Sequence, residues 1–413
     1  MKKPSRFVQR DTLRLAIASI VLAPYMANAA LLQSDLDSGA APVIINSPDR
    51  APVIDIVAPN AAGLSHNRYV HYNVGQPGVV LNNSLQSGRA HVAGQFQDVQ
   101  ANAQFRGRAA STILNEVTSR YRSEIKGEQL IFGQAADYVL ANPNGISLNG
   151  AQVNLGLDRQ ATFLVGRPQV ENGRIAGFDT GGTVDPRAAL RVNGTGVTVN
   201  GGSLALIAPR IDQQGQISAQ QNLDILLGSH RVDADSLAIS NIQQNSFKTD
   251  AQLVGAMHAS RINILSTREG AGINMGVSRV EARQGIDVAS RGNLHITSTA
   301  QRDGLPTQGL LNAGDGDLRL SSAGDLNITS VNARGASITA DAGANLTLDT
   351  LTRTTESSVR TGVDNSWYFV PAGATTTTVY KKQDQHLTNS LDATRNVTLT
   401  AGNNAKLAAT QRR

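Results

Sequence analysis

From about residue 130 onward the chain is built of short apolar alternations separated by Gly, Asn and Asp, with no helical periodicity sustained over a useful length. The clearest stretch runs from Leu190 to Ile225. The pairs Leu190/Val192, Val197/Val199 and Leu204/Leu206 are followed by Ile211, Ile217 and Leu223/Ile225, starting 7, 7, 7, 6 and 6 residues apart. Asn193-Gly194, Asn200-Gly201-Gly202 and Gln214-Gly215 fill the gaps, where left-handed backbone suits Gly and Asn. Hairpin turns would use the same residues, so this stretch alone leaves a meander and a coil both open.

The later sequence decides between them. Ile286 and Leu294 lie 8 residues apart, as do Leu318 and Leu326, and Ile338 and Leu346, and the last two couples are offset by 20 residues. Gly324-Asp325-Leu326-Asn327-Ile328-Thr329 and Ala344-Asn345-Leu346-Thr347-Leu348-Asp349 are the same unit. A repeat of about 20 residues holding three short strands predicts an all-β fold, a right-handed parallel β-helix in the form of a three-sided solenoid. Between about residues 350 and 386 the rhythm gives way to a Thr-rich excursion containing Trp367-Tyr368-Phe369, and it resumes at Arg395–Thr400. The chain stops at Arg413 without a capping change of pattern, which is the expectation for part of something longer.

Composition changes this picture in three ways. The 4% aromatic content suits a narrow interior of Val, Ile, Leu and Ala. The absence of Cys leaves stability to packing and excludes thiol catalysis and thiolate metal sites. The net charge of +5 belongs to a leader: residues 1–29 hold Lys2, Lys3, Arg6, Arg10 and Arg14 against Asp11, leaving 32 basic and 31 acidic residues beyond. With that balance, binding to nucleic acid loses its support. The leader has the parts of an export signal: a basic start, the apolar run Leu15 to Ala23, and small residues at Ala27 and Ala29, with cleavage expected after Ala29.

The stretch from Asn73 to Leu157 carries Gly78-Val79-Val80-Leu81-Asn82-Asn83-Ser84, Ile113-Leu114-Asn115-Glu116-Val117-Thr118, Phe132-Gly133-Gln134-Ala135-Ala136-Asp137 and Leu140-Ala141-Asn142-Pro143-Asn144-Gly145-Ile146. In combination these resemble the N-terminal domain of two-partner secretion exoproteins, the filamentous haemagglutinins and contact-dependent growth-inhibition proteins. Ala208-Pro209-Arg210 and Leu253–Ala259 extend the resemblance, and the later repeats are similar to haemagglutinin repeats in composition. The resemblance implies a signal peptide at 1–29, a secretion domain at 30–265 and haemagglutinin-type repeats at 266–413.

It also implies a cognate outer-membrane β-barrel transporter as partner, export through the periplasm to the cell surface or beyond, and surface receptors on host or neighbouring cells. As secretion-motif residues it marks Asn142, Pro143, Asn144, Gly145 and Ile146, with Asn102 and Asn115. Where the haemagglutinin type carries Asn-Pro-Asn-Leu, this chain reads Asn102-Ala103-Gln104-Phe105, keeping only the first Asn. Without the resemblance, Asn142-Pro143-Asn144-Gly145 is simply a good turn.

Other chemistry is thin. Trp367, Tyr368 and Phe369 are either an adhesive tip or a loop packed on the coil. Ala313-Gly314-Asp315-Gly316-Asp317 resembles a calcium nonapeptide with the acid misplaced, and His66 and His71 lack helical metal-pair spacing, so no metal and no cofactor is expected. The rival class is a β-helical polysaccharide-degrading enzyme, which needs paired carboxylates. One repeat beyond Asp317 stands Ser337, and one beyond Asp325 stands Asn345, so no enzyme is expected. The reading is a haemagglutinin-like adhesin, the alternative being the delivery stalk of a growth-inhibition toxin without its effector.

Overall fold

The structure, a computed structural model, describes residues 31–181, 188–243, 251–270, 272–299, 307–363, 375–408 and 410–412. The leader at 1–29 and the Trp367-Tyr368-Phe369 cluster lie outside the described residues. The chain divides into two compact units, one running to Phe247 with His258–Ser260, the other holding Lys248–Met257 and everything from Arg261. Among the described residues no helix is long and apolar enough to cross a membrane.

In the first unit three parallel sheets face one another around a common interior. One turn of the coil runs through Asp137–Ala141 on the first face, Ile146–Leu148 on the third and Ala151–Asn154 on the second, and returns to the first face at Gln160–Leu164. The apolar pairs of the sequence stack in register: Leu190 on Ile211, Val197 on Ile217, and Leu204 on Leu223. The spacings of 7 and 6 residues in that stretch are therefore thirds of a turn. Alternate residues point inward, which is why Ile211–Gln213 and Ile217–Ala219 each read buried, half-buried, buried.

The second unit repeats the plan. Ile286, Leu318 and Ile338 stack on one face, while Leu294, Leu326 and Leu346 stack on another. The 8-residue couples of the sequence are thus one face and the next within a single turn. Corners are held by a polar ladder. Asn293 Oδ1 accepts from the Asp325 N–H at 2.9 Å, and Asp325 Oδ1 accepts from the Asn345 backbone and side-chain amides at 3.1 and 2.9 Å.

Antiparallel pieces decorate both units. In the first, Leu32–Ser34 pairs with Leu64–Tyr72 and Val43–Ile45 with Val53–Asp55, covering the first strands of two of the parallel sheets. Gly88–Val92 and Gln95–Val99 form a hairpin whose Ala90, Val92 and Val99 pack on Ala51 and Val80. Arg167–Glu171, Arg174–Asp179, Arg231–Asp233 and Ile239–Ser240 form a four-stranded sheet. The periodicity announced neither of these last two, because each interrupts the coil without breaking its rhythm on either side. In the second unit the expected excursion is an antiparallel ribbon, Leu351–Val363 with Thr375–Leu387.

The interior of the first unit is less purely aliphatic than the composition suggested. Tyr69, Tyr72, Tyr138 and Phe163 are fully buried there, Tyr69 and Tyr72 meeting edge to face with centroids 4.8 Å apart.

Candidate functional site

Asn142 follows the first-face strand Asp137–Ala141, and Ile146 opens the third-face strand Ile146–Leu148, so the Asn142–Ile146 segment is a corner of the coil. Pro143 sets φ at one central position and removes an N–H that the turn does not need. The Gly145 N–H closes the turn on the Asn142 carbonyl at 3.2 Å. Gly145 has a φ of +117°, which favours Gly, and a Cβ there would crowd the Ala189 carbonyl oxygen of the next turn at 3.0 Å.

The Asn142 side chain is fully buried and bonded on every side. Its Oδ1 accepts from the Asn144 backbone N–H at 2.9 Å and from Asn144 Nδ2 at 3.0 Å, while its Nδ2 donates to the Tyr121 carbonyl at 3.0 Å and Ser123 Oγ at 2.9 Å. Asn144 Nδ2 also donates to the Ser119 carbonyl at 2.8 Å, and Arg122 Nε donates to the Asn144 carbonyl at 3.1 Å. The Asn142 N–H reaches forward to the Leu164 carbonyl at 2.9 Å. One corner thereby ties the turn before it to the turn after it. Ile146, 2% exposed, drops into the core behind it.

Asn102-Ala103-Gln104-Phe105 repeats this design despite its altered residues. Asn102 Oδ1 accepts from the Gln104 N–H at 2.9 Å, and the Phe105 N–H closes on the Asn102 carbonyl at 3.1 Å. Asn102 Nδ2 donates to the Ile56 and Asn82 carbonyls at 3.0 and 2.8 Å, and Gln104 Nε2 donates to the Asp55 carbonyl at 2.7 Å. Gln104 thus does here what Asn144 does in the other corner. The two corners are not one site. Asn102 lies between the hairpin strand Gln95–Val99 and the first-face strand Thr112–Val117, whereas Asn142 lies between the first and third faces.

Asn115 belongs to neither corner. It sits inside the coil with Oδ1 accepting from the Tyr69 hydroxyl at 3.2 Å. Tyr72 and Tyr138 both donate to Gln129 Oε1, and Tyr138 contacts the Tyr72 hydroxyl at 3.4 Å. Burial pushes all three phenols well above their ordinary range, so they are neutral donors at any ordinary pH. This buried network was not visible in the spacing, because the tyrosines occupy ordinary inward positions.

The remaining polar candidates have local partners. His66 Nε2 meets Glu116 Oε2 at 2.8 Å, and His71 stacks on Tyr121 with centroids 4.1 Å apart. Asp317 is gripped by Arg319 at 2.8 Å and Arg395 at 2.6 Å, and its Oδ1 accepts from the Ser337 N–H at 3.2 Å. Asp325 is a rung of the corner ladder. Among the described residues no three His, Asp or Glu side chains converge on a point that would hold a metal ion.

Comparison with known proteins agrees with this geometry. Residues 32–296 match the family model of the TPS secretion domain. A hemolysin of Serratia marcescens is 40% identical over 279 residues, covering 64% of this chain and 16% of the relative, and a hemolysin of Proteus mirabilis is 33% identical over 372 residues, covering 84% and 22%. The filamentous hemagglutinin of Bordetella pertussis is 31% identical over 280 residues, covering 64% and 7%. This chain therefore spans less than a quarter of the length of these relatives. Its fold is similar to the crystal structure of a filamentous hemagglutinin secretion domain, with a TM-score of 0.56 at 26% identity over 75% of this chain and 93% of that one. Sequence and fold together place the chain in the two-partner secretion exoproteins, with their TPS secretion domain at residues 32–296.

Proposed function

We propose that this chain is exported through the periplasm and delivered outside the cell by a cognate outer-membrane β-barrel transporter that recognises its N-terminal region. The observation that carries this reading is the match of residues 32–296 to the secretion domain. The corners at Asn142–Ile146 and Asn102–Phe105 are the assigned secretion motifs, and the haemagglutinin-type repeats expected from residue 266 are assigned to the chain beyond the matched domain, after residue 296. Their role follows from their hydrogen bonds: a chain threaded unfolded completes these corners only as neighbouring turns stack, and each stacked turn buries apolar surface that disfavours return. Asn115, inside the core, supports the stacked state rather than contacting the transporter. Co-expression with and without the transporter, with detection of the chain in the medium, tests this. Equal release in both would refute it.

For the exported product we assign attachment to cell surfaces, as in a filamentous haemagglutinin, with Trp367, Tyr368 and Phe369 as the contact residues. A second reading, membrane damage, is favoured by the 40% and 33% identity to two hemolysins. Growth-inhibition toxins are also relatives, among them a tRNA nuclease CdiA of Yersinia mollaretii at 32% identity over 332 residues. Cell attachment, erythrocyte lysis and killing of neighbouring bacteria, measured on the same exported preparation, separate the three.

A further inference from the structure

The ribbon of the second unit presents a surface that its own chain does not cover. Leu351–Val363 and Thr375–Leu387 pair antiparallel without interruption from Leu351 against Leu387 to Val363 against Thr375. The stem is rigidly rooted. Buried Ser330 donates from Oγ to the Leu387 carbonyl at 2.6 Å and accepts from the Leu351 N–H at 2.7 Å. Buried Asn389 accepts from the Val331 N–H at 2.9 Å and donates to the Asp349 carbonyl at 2.8 Å. Beyond that root, residues 355–362 and 376–386 are all exposed.

Each strand's partner is the other, so both outer edges of the ribbon carry open backbone groups among the described residues. A lone two-stranded ribbon is marginal in water, and natural sheets guard long edges with proline, bulges or charged side chains, lysine above all; the lysines here, Lys381 and Lys382, stand on Thr375–Leu387 and not on Leu351–Val363. Here the strands hold no Pro and the register is free of bulges, while Thr and Val favour extended pairing.

The charges say which edge pairs and with what. In antiparallel sheets directly opposed residues share one hydrogen-bonding class, so a strand paired with its own copy about a two-fold axis must centre on a residue, not between two. The charged residues of Leu351–Val363 with described side chains are Arg353, Glu356 and Arg360. Arg353 and Glu356 differ by an odd number of positions and can never stand opposite each other. Glu356 and Arg360 are opposed when the axis passes through Ser358, and they then meet twice, once from each copy. This register engages residues 353–363 of each copy. Lys382 already lies across from Glu356 within the ribbon, so the four-strand row reads Lys382, Glu356, Arg360 of the second copy, Thr378 of the second copy. Along Thr375–Leu387 the only unlike charges that can oppose are Lys382 and Asp384, about Gln383. That register engages only residues 379–387, and Asp384 is already bonded by Thr354 Oγ1 at 2.6 Å.

We propose that the outer edge of Leu351–Val363 is a self-association surface that pairs antiparallel with the same strand of a second copy about a two-fold axis at Ser358. This does not depend on how the chain is exported or what cell it meets. The chain has no Cys, so Ser358→Cys creates a single thiol at the one position that faces itself. On mild oxidation of the full chain, Ser358→Cys should give a disulfide dimer, and Thr354→Cys and Gln383→Cys should not. Sedimentation of the Cys-free protein should show a concentration-dependent dimer. Glu356→Arg or Arg360→Glu alone should weaken it about tenfold, and the two together should restore it. A protein monomeric at every concentration, a double exchange that fails to restore pairing, or cross-linking at Gln383→Cys in place of Ser358→Cys would each overturn the assignment.

Discussion

Asn142 accepts and donates with its whole side chain inside the protein, so its replacement strands several groups at once. Asn142→Ala leaves the Tyr121 carbonyl, Ser123 Oγ and the Asn144 N–H without their partner. The expected loss is about 2–4 kcal/mol, read as a lower urea midpoint of the purified protein, with a parallel fall in exported yield. Asn144→Ile removes the bond to the Ser119 carbonyl and places a branched apolar side chain on a half-buried corner, and it should block delivery outside the cell. Export of stable protein at the unsubstituted level would contradict the secretion role given to this corner.

His230 sets a different residue-scale expectation. Burial pushes its imidazole down to about 4, with Asp179 opposing the shift only partly. As pH falls from about 6.5 toward 4, the unfolded chain takes up a proton that the folded protein refuses, so stability is full above 6.5 and declines through that window. The decline is on the order of 3 kcal/mol. His230→Gln should remove it, which a comparison of denaturation midpoints at pH 7 and pH 4.5 would read directly.

At the scale of the element, the strands are short and interchangeable, and the corners carry the constraint. Gly196 has a φ of +87°, and a Cβ there would lie 1.8 Å from the Gln216 carbonyl oxygen of the following turn. Gly94 has a φ of +77° with open space around it. Gly94→Ala should therefore cost about 1 kcal/mol, for torsion alone. Gly196→Ala should cost well over that, because the backbone of two turns must separate. Thermal midpoints of the two variants, measured together, check the contrast. The corner ladder of Asn293, Asp325 and Asn345 follows the same logic with side chains in place of close backbone. Its signature, a polar residue directly before Leu294, Leu326 and Leu346, stands in the repeat itself.

At the scale of the whole molecule, each unit is a stack in which a turn touches mainly its neighbours, so insertions are tolerated where the stack can close beneath them. The ribbon at 351–387 shows how. Ile338 stacks directly on Val397, although the ribbon lies between them in sequence. Removing residues 355 to 385 should leave the coil folded and exported, because Ser330 and Asn389 keep their bonds at the root. Under the adhesin reading the same deletion abolishes cell attachment, and retained attachment would take the contact role away from Trp367, Tyr368 and Phe369.

What the sequence determined alone is the coil: inward Leu, Ile and Val recur at a period set by burial and strand length, and that period is local enough to read from Leu190 to Ile225 or from Leu318 to Leu348. Read without the resemblance, it also showed Asn142-Pro143-Asn144-Gly145 as a turn, while Asn102 was marked by the resemblance alone. Tertiary structure decided the rest. It put those two asparagines at different corners, made Gln104 an adequate stand-in for Asn, buried Asn115 among tyrosines, and paired Arg174–Asp179 with Arg231–Asp233. Each of these depends on the register between segments tens of residues apart. That register is set by how much chain each excursion consumes, a quantity no local pattern contains.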